Sequence, residues 1–317
     1  MMDIVEAVIA AERRIQPYIR ETYVEHSHAL GERTGTEVYL KLENLQHTGS
    51  FKARGAMNRV LAMSPDEQRR GVIAASTGNN GAAVARAARE VGIPCTVVVP
   101  EHADESKLAA IRRLGATIDV RGDDCVESER YARRHCADHG ITYISPYNDP
   151  LVIAGQGTVA LELTRQLERI DAVFVSLGGG GLVSGIAGYL KGMGLGTHVV
   201  ACSPENSAVM IESVRAGRIL DLPSKPTLSD GTAGGVEEGA VTFELCRSLV
   251  DEYVTVTEDE IAATLRRFLD THHLLIEGAA AVALAAFERR AARHAGQCVA
   301  IVICGGNIGV ETLRRIL

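Results

Sequence analysis

"AVFVSLGGGGLVSGIAGYLKG", residues 172–192, sets an unbroken apolar run against four consecutive glycines and then a stretch of small and apolar residues. So continuous an apolar run reads as a strand buried on both faces, the kind found in parallel sheets covered by helices. The turn that follows demands more than local geometry. One or two glycines suffice for a backbone at positive φ. Four between a strand and a helix let several N–H groups converge at the positive end of the helix, which makes a phosphate cup.

The same alternation recurs on either side. "EVYLKLE" (37–43) reads as a strand and 51–63 as a helix; "GVIAAS" (71–76) leads into a helix at 81–92, and "PCTVVVP" (94–100) into one at 105–115. "TIDVRG" (117–122) and "VESERYARRHCADHG" (126–140) repeat the unit before "ITYISPY" (141–147). A loop is expected over 148–157, a helix over 158–167, and, after the glycines, a strand "HVVACS" (198–203). A linker at 222–236, helices near 240–249, 258–270 and 278–294, and the strand "CVAIVIC" (298–304) complete the chain. Strands alternating with helices imply an α/β protein with parallel sheets. Residues 70–148 are expected to form a small domain closing over the substrate, and 1–69 with 149–317 a large cofactor-binding one.

With 317 residues, 46% of them apolar, the chain can bury a sizeable core, built from Val, Ile, Leu and Ala because there is no Trp. A net charge of −7, with no basic stripe, argues against a nucleic-acid partner. No basic leader and no run of about 18 apolar residues occur, so a cytoplasmic protein with no membrane partner is expected. The seven cysteines include no CxxC pair and suggest neither a zinc cluster nor a disulfide framework.

Parallel sheets bind ligands beyond the carboxyl ends of their strands. Four unusual stretches lie there or beside the first strand: "STGNNG" (76–81), the tetraglycine, "GGN" (305–307) and "TGSFK" (48–52). A dinucleotide site would want an acidic residue at the end of the next strand, where Cys202 and Ser203 stand, and no Walker pattern is present. A phosphate without a nucleotide signature, together with Lys52 between Phe51 and Ala53, points to a phosphorylated carbonyl. Pyridoxal phosphate fits: its aldehyde takes a lysine amine, and apolar neighbours favour the uncharged amine.

At this point the motifs carry a resemblance. "KLENLQHTGSFKARGA" (41–56), "STGNNG", "VIAGQGT" (152–158), "SLGGGGLVSGI" (176–186), "SDG" (229–231), "LLIEGAA" (274–280) and "ICGGN" (303–307) stand in the order of the fold-type-II pyridoxal-phosphate enzymes. The chain resembles their threonine/serine dehydratase and serine racemase branch over nearly its entire length. "SDGTAGGVEEGAVTFELC" (229–246) is similar to the dehydratases associated with hydroxyectoine utilisation.

The resemblance implies a two-lobed fold, each lobe a mostly parallel sheet flanked by helices. It makes Lys52 the Schiff-base lysine, with Phe51 beside the cofactor ring and Asn79 on the ring hydroxyl. Gly178, Gly179, Gly180 and Gly181 with Leu182 would hold the phosphate, and Cys304 would face the pyridine nitrogen. Gly231 and Glu277 would border the cofactor. The segment Ser76, Thr77, Gly78, Asn79, Asn80 and Gly81 would receive the substrate carboxylate. The implied reaction removes water from a 3-hydroxy amino acid of the threonine/serine type, or a hydroxyectoine-derived hydroxy-diaminobutyrate, giving a 2-oxo acid and ammonia.

Two other enzyme readings remain, a synthase acting on O-acetylserine and a racemase using Lys52 and Thr77 on opposite cofactor faces. Thr77 also suits a helix cap. A ligand sensor that kept the fold is the non-enzymatic alternative. Ser203 and Val209 stand where cation-binding relatives carry acids, so no metal is expected. A homodimer or larger homo-oligomer is expected. Glu237 or Glu238 is read either as a contact for a cationic substrate tail or as a partner of the following helix dipole. Ser145, Tyr147 and Asn148 are read as a cleft wall or as the hinge, and Arg133–Arg134 as a solvated helix face.

Overall fold

The computed structural model describes residues 3–103 and 105–317. Among the described residues ten strands form two sheets. The larger comprises β1 (Val24–His26), β2 (Glu37–Lys41), β7 (Ala172–Ser176), β8 (His198–Pro204), β9 (Glu252–Val256) and β10 (Cys298–Val302) in the order β1-β2-β10-β7-β8-β9. All neighbours are parallel except the β1–β2 pair. The smaller, wholly parallel sheet orders β3 (Val72–Ala75), β4 (Cys95–Val99), β5 (Thr117–Val120) and β6 (Thr142–Tyr143) as β5-β4-β3-β6. The tetraglycine strand β7 is central in the large sheet and buried at every residue, which accounts for its unbroken apolar sequence.

Helices cover both sheets. Without tryptophan, dense packing comes from small residues: the helix Gly278–Arg290 buries an unbroken run from Gly278 to Phe287, and Phe287 meets Phe174 edge to face at 5.4 Å between centroids. The stretch 148–157 is not the expected loop. A helix begins at Pro150 and runs to Gln166, because Asp149 Oδ1 accepts the Leu151 and Val152 N–H groups and proline fits the first turn. Its glycines are contacts. A Cβ on Gly155 would lie 2.6 Å from Gly55 Cα, and one on Gly157 2.9 Å from Gly185 O. They let the helix lie against two others at backbone distance.

Segments 4–15 and 65–70 are helices, as Arg13–Arg14 and Arg69–Arg70 read as helix faces imply, and 28–34, 209–216 and 310–316 are further helices. Among the described residues no helix is long and apolar enough to cross a membrane.

Candidate active site

Lys52 opens the helix Lys52–Leu61. Its approach is fixed by the end of β10: Ser50 bridges Gly305, and the Phe51 N–H donates to Cys304 O at 3.0 Å. Thr48 and Gly49 both adopt positive φ to make that approach, and a Cβ on Gly49 would lie 2.6 Å from Asn307 Oδ1. Two residues after Lys52, fully buried Arg54 forks onto two carboxylates. Its Nε and Nη2 donate to Glu43 at 2.7 and 2.8 Å, and its Nη1 and Nη2 to Glu162 at 2.6 and 2.8 Å. Lys41 Nζ donates to Glu162 at 2.6 Å, completing a buried set of two cations and two anions. The first turn of the Lys52 helix is therefore pinned by directional bonds as well as by packing.

Lys52 Nζ donates to Pro146 O at 2.6 Å and lies 5.1 Å from the Phe51 ring centroid. The residue keeps some surface toward the cleft, yet its ammonium is dehydrated by the walls, and burial lowers its pKa to about 8 against the opposing pull of Cys304 and Glu277.

Beside it runs a string of polar groups. Asn79 Nδ2 donates to both oxygens of Glu277 at 3.0 and 2.9 Å, Asn307 Nδ2 donates to Asn79 Oδ1 at 2.7 Å, and the Asn307 N–H reaches Glu277 Oε2 at 3.2 Å. Cys304 Sγ faces Glu277 Oε1 at 3.8 Å and takes a contact of the same length from Ser176 Oγ. Burial pushes Glu277 up to about 7 and the Cys304 thiol well above its usual range, so the thiol stays protonated. The glycines around Glu277 are required by it: a Cβ on Gly305 would meet its carboxyl at 2.7 Å, and one on Gly231 would lie 3.3 Å from Oε1.

The tetraglycine turns from β7 into the helix Gly181–Gly192, which has no side-chain cap. Gly180 adopts φ 90°, and Thr242 Oγ1 beneath it is buried without a partner. Each of the four backs onto another segment. A Cβ on Gly178 would lie 2.8 Å from Thr232 O, on Gly179 2.3 Å from the Tyr147 ring, on Gly180 2.9 Å from Cys246 Sγ and on Gly181 2.9 Å from Tyr147 Cα. Leu182 is buried behind the turn.

The helix Asn79–Val91 begins two residues before the expected position, again with no side-chain cap. Thr77 is not that cap. Ser76 Oγ instead accepts the Gly78 N–H at 3.2 Å, and the Thr77 hydroxyl has no partner among the described residues. Gly81 is compelled, since a Cβ there would meet Ser76 O at 2.2 Å, and the Asn80 Nδ2 donor is buried without an acceptor.

Arg133 does not lie on a purely solvated face. It pairs with Glu237 at 2.5 Å and sits over the Tyr143 ring at 4.4 Å. Glu238 is exposed. Arg54, Ser176, Thr242 and Asn307 were given no role from the sequence, although each lies inside a stretch that carried the resemblance. A cavity of about 810 Å³ lies elsewhere, at the amino ends of the large-sheet strands. Its charges already pair with one another, Arg169 with Asp171 at 3.0 Å and Arg293 with Glu252 at 3.4 Å. The dehydrated lysine and the uncapped helices make the Lys52 cleft the candidate site.

A phosphorylated pyridine aldehyde needs an amine that deprotonates near neutrality, N–H donors clear of side chains and a partner for the ring nitrogen. Lys52, the uncapped glycine turn and the protonated Cys304 thiol fit those needs. The sequence matches the family described as "Pyridoxal-phosphate dependent enzyme" over residues 15–305. It is 43% identical to an L-threonine ammonia-lyase of Thermotoga maritima over 98% of this chain and 77% of that one. It is 36% identical to the L-threo-3-hydroxyaspartate ammonia-lyase of Saccharomyces cerevisiae over 96% of this chain and 93% of that one. The structure of maize serine racemase superposes with a TM-score of 0.92 at 32% identity, covering 98% of this chain and 95% of that one. The chain thus belongs to the pyridoxal-phosphate dependent enzymes, in the fold-type-II branch of dehydratases and racemases, and its cofactor is pyridoxal 5'-phosphate.

Proposed function

We propose that the protein is an ammonia-lyase that removes water from a 3-hydroxy amino acid and releases a 2-oxo acid and ammonia. The carrying observation is Lys52: a half-buried amine with its pKa brought down to about 8, fixed at a helix start beside the Asn79–Glu277–Cys304 string. Ammonia-lyases acting on threonine and on hydroxyaspartate among the relatives support elimination. When bound, pyridoxal phosphate supplies an aldehyde and an electron-withdrawing ring.

The chain's own residues do the rest. Lys52 Nζ would bind the aldehyde and, once free, take the proton from substrate Cα. N–H groups of Gly178–Gly181, ahead of Leu182, would hold the phosphate, and those of Ser76–Gly81 the substrate carboxylate. Cys304 Sγ would donate to the ring nitrogen without giving up a full charge, Asn79 would meet the ring hydroxyl, and Phe51 would wall the lysine from water. The lobe of residues 70–148 would close over the substrate, carrying Asn79 against Glu277. Loss of hydroxide from Cβ leaves an enamine that water converts to the 2-oxo acid and ammonia.

The substrate side chain is decided by assay: oxo-acid release from threonine, serine, 3-hydroxyaspartate, phenylserine and hydroxy-diaminobutyrate. The last of these tests the hydroxyectoine reading of residues 229–246. Release from at least one, lost in Lys52→Ala, is expected; none from the cofactor-loaded enzyme would refute the lyase. A second activity, epimerisation at Cα, is favoured by the uncapped Thr77 hydroxyl. It should vanish in Thr77→Ala while elimination survives, and unchanged epimerisation would remove Thr77 from the reaction.

A further inference from the structure

The segment Ser145–Asn148 lies between β6 and the helix Pro150–Gln166 with no regular structure of its own, yet it touches the lysine, the glycine turn and the 232–239 loop. Ser145 Oγ accepts the Tyr147 and Asn148 N–H groups at 3.4 and 3.0 Å, forming a tight turn. Within it the Pro146 carbonyl meets Lys52 Nζ at 2.6 Å. The Tyr147 ring lies on Gly179.

What holds the turn from outside is Glu237. Its Oε2 accepts Asn148 Nδ2 at 3.0 Å, its Oε1 accepts Ser145 Oγ at 3.5 Å, and its N–H donates to Tyr147 Oη at 2.9 Å. Asn148 Oδ1 also accepts the Val241 N–H at 3.0 Å. Glu237 sits in a loop where a Cβ added at Gly234, Gly235 or Gly239 would meet nothing within 4 Å, and these polar bonds tie it to the turn. Across the cleft, Arg133 on the helix Cys125–His139 meets Glu237 Oε1 at 2.5 Å, and Glu129 holds the same guanidinium at 2.9 and 2.8 Å. Both Glu237 oxygens are thereby engaged by protein groups, which leaves little for a cationic substrate tail.

We propose that Glu237 and Arg133 are positioning residues: their pairing fixes the Ser145–Asn148 turn when the lobes close, and the turn presents the Pro146 carbonyl that holds the free Lys52 amine in place. The proposal rests on the reading of Lys52 as the working base. It joins lobe closure to the catalytic group through bonds, with no contact to substrate. Lys52 Nζ faces the Pro146 carbonyl, the Phe51 ring, the Cys304 thiol and the Glu277 carboxyl; Glu237 faces Arg133, Glu129, Ser145, Tyr147 and Asn148.

The test uses Glu237→Ala, Glu237→Gln and Arg133→Met. In the holoenzyme, Glu237→Ala should lower kcat about tenfold or more with KM changed less than about threefold, and should move the rising limb of the kcat–pH profile. Glu237→Gln, which keeps an acceptor for Asn148, and Arg133→Met, which leaves the Glu237 carboxylate on the turn, should each fall between Glu237→Ala and wild type. In protein without cofactor, amide hydrogen exchange of Tyr147, Asn148 and Val241 should quicken about tenfold in Glu237→Ala. An unchanged kcat and unchanged exchange would overturn the proposal, and so would a loss confined to KM, which would make Glu237 a substrate contact. Lys52→Ala, measured alongside, separates the two readings. Activity retained there refutes the base itself, whereas activity lost there but intact in Glu237→Ala refutes only the positioning pair.

Discussion

Glu277 offers a stability test that does not need the substrate. Its carboxyl is 3% exposed and faces Asn79, Asn307 and Cys304. Burial, with the Asp230 charge adding to it, raises its pKa from 4.5 to about 7, although the Asn79 amide and the Asn307 N–H pull the other way. Between those values the folded chain holds a proton that the unfolded chain has released, so stability falls as pH rises through the window. The gap of about 2.5 units, at about 1.4 kcal/mol per unit, amounts to about 3 kcal/mol lost above neutrality. Glu277→Gln removes the titration and keeps an acceptor for Asn79. Urea unfolding of cofactor-free protein between about pH 5 and pH 8 should show the variant gaining on wild type by up to about 3 kcal/mol. A constant offset would reflect only the altered hydrogen bonds. A difference that does not change with pH would refute the buried, proton-holding carboxyl.

Four further outcomes are expected. Gly179→Ala puts a methyl group 2.3 Å from the Tyr147 ring and should cost about 1–3 kcal/mol in thermal unfolding and weaken cofactor retention. Gly196→Ala, with open space around it, should be neutral in the same melts. Arg54→Met leaves Glu43 and Glu162 with Lys41 alone and should destabilise by about 3–5 kcal/mol, while replacing all four charges with neutral residues of similar volume should recover much of that. If activity is limited by free Lys52, it should rise with pH with its midpoint near 8; a midpoint near 10.5 would mean an undisturbed lysine.

Sequence patterning located the sheets because strands buried on both faces leave a continuous apolar record, as β7 and β10 do. It failed where a residue type has two uses. Glycines at 155 and 157 look like loop residues, but on this helix they are places where backbones touch, and nothing local to "VIAGQGT" tells the two apart. Thr77 suits a cap by type, yet Ser76 makes the local bond. Arg133 reads as a solvated helix charge because its partner, Glu237, is far away in sequence.

The tetraglycine shows how the two kinds of information combine. Its sequence was explained by the need for converging N–H groups, and the helix it opens does lack a side-chain cap. The structure adds a second requirement. Every one of the four glycines is also hemmed in from behind, two of them by Tyr147, which in turn bonds to the Glu237 backbone and adjoins the carbonyl that holds Lys52. A turn that needed only φ freedom would have room for alanine at the positions with negative φ; this one has none, because Thr232 and Tyr147 stand directly behind it. The glycines of the proposed phosphate cup are therefore also required by the packing at their rear. A substitution at Gly179 should for that reason disturb Lys52 as well as the phosphate cup.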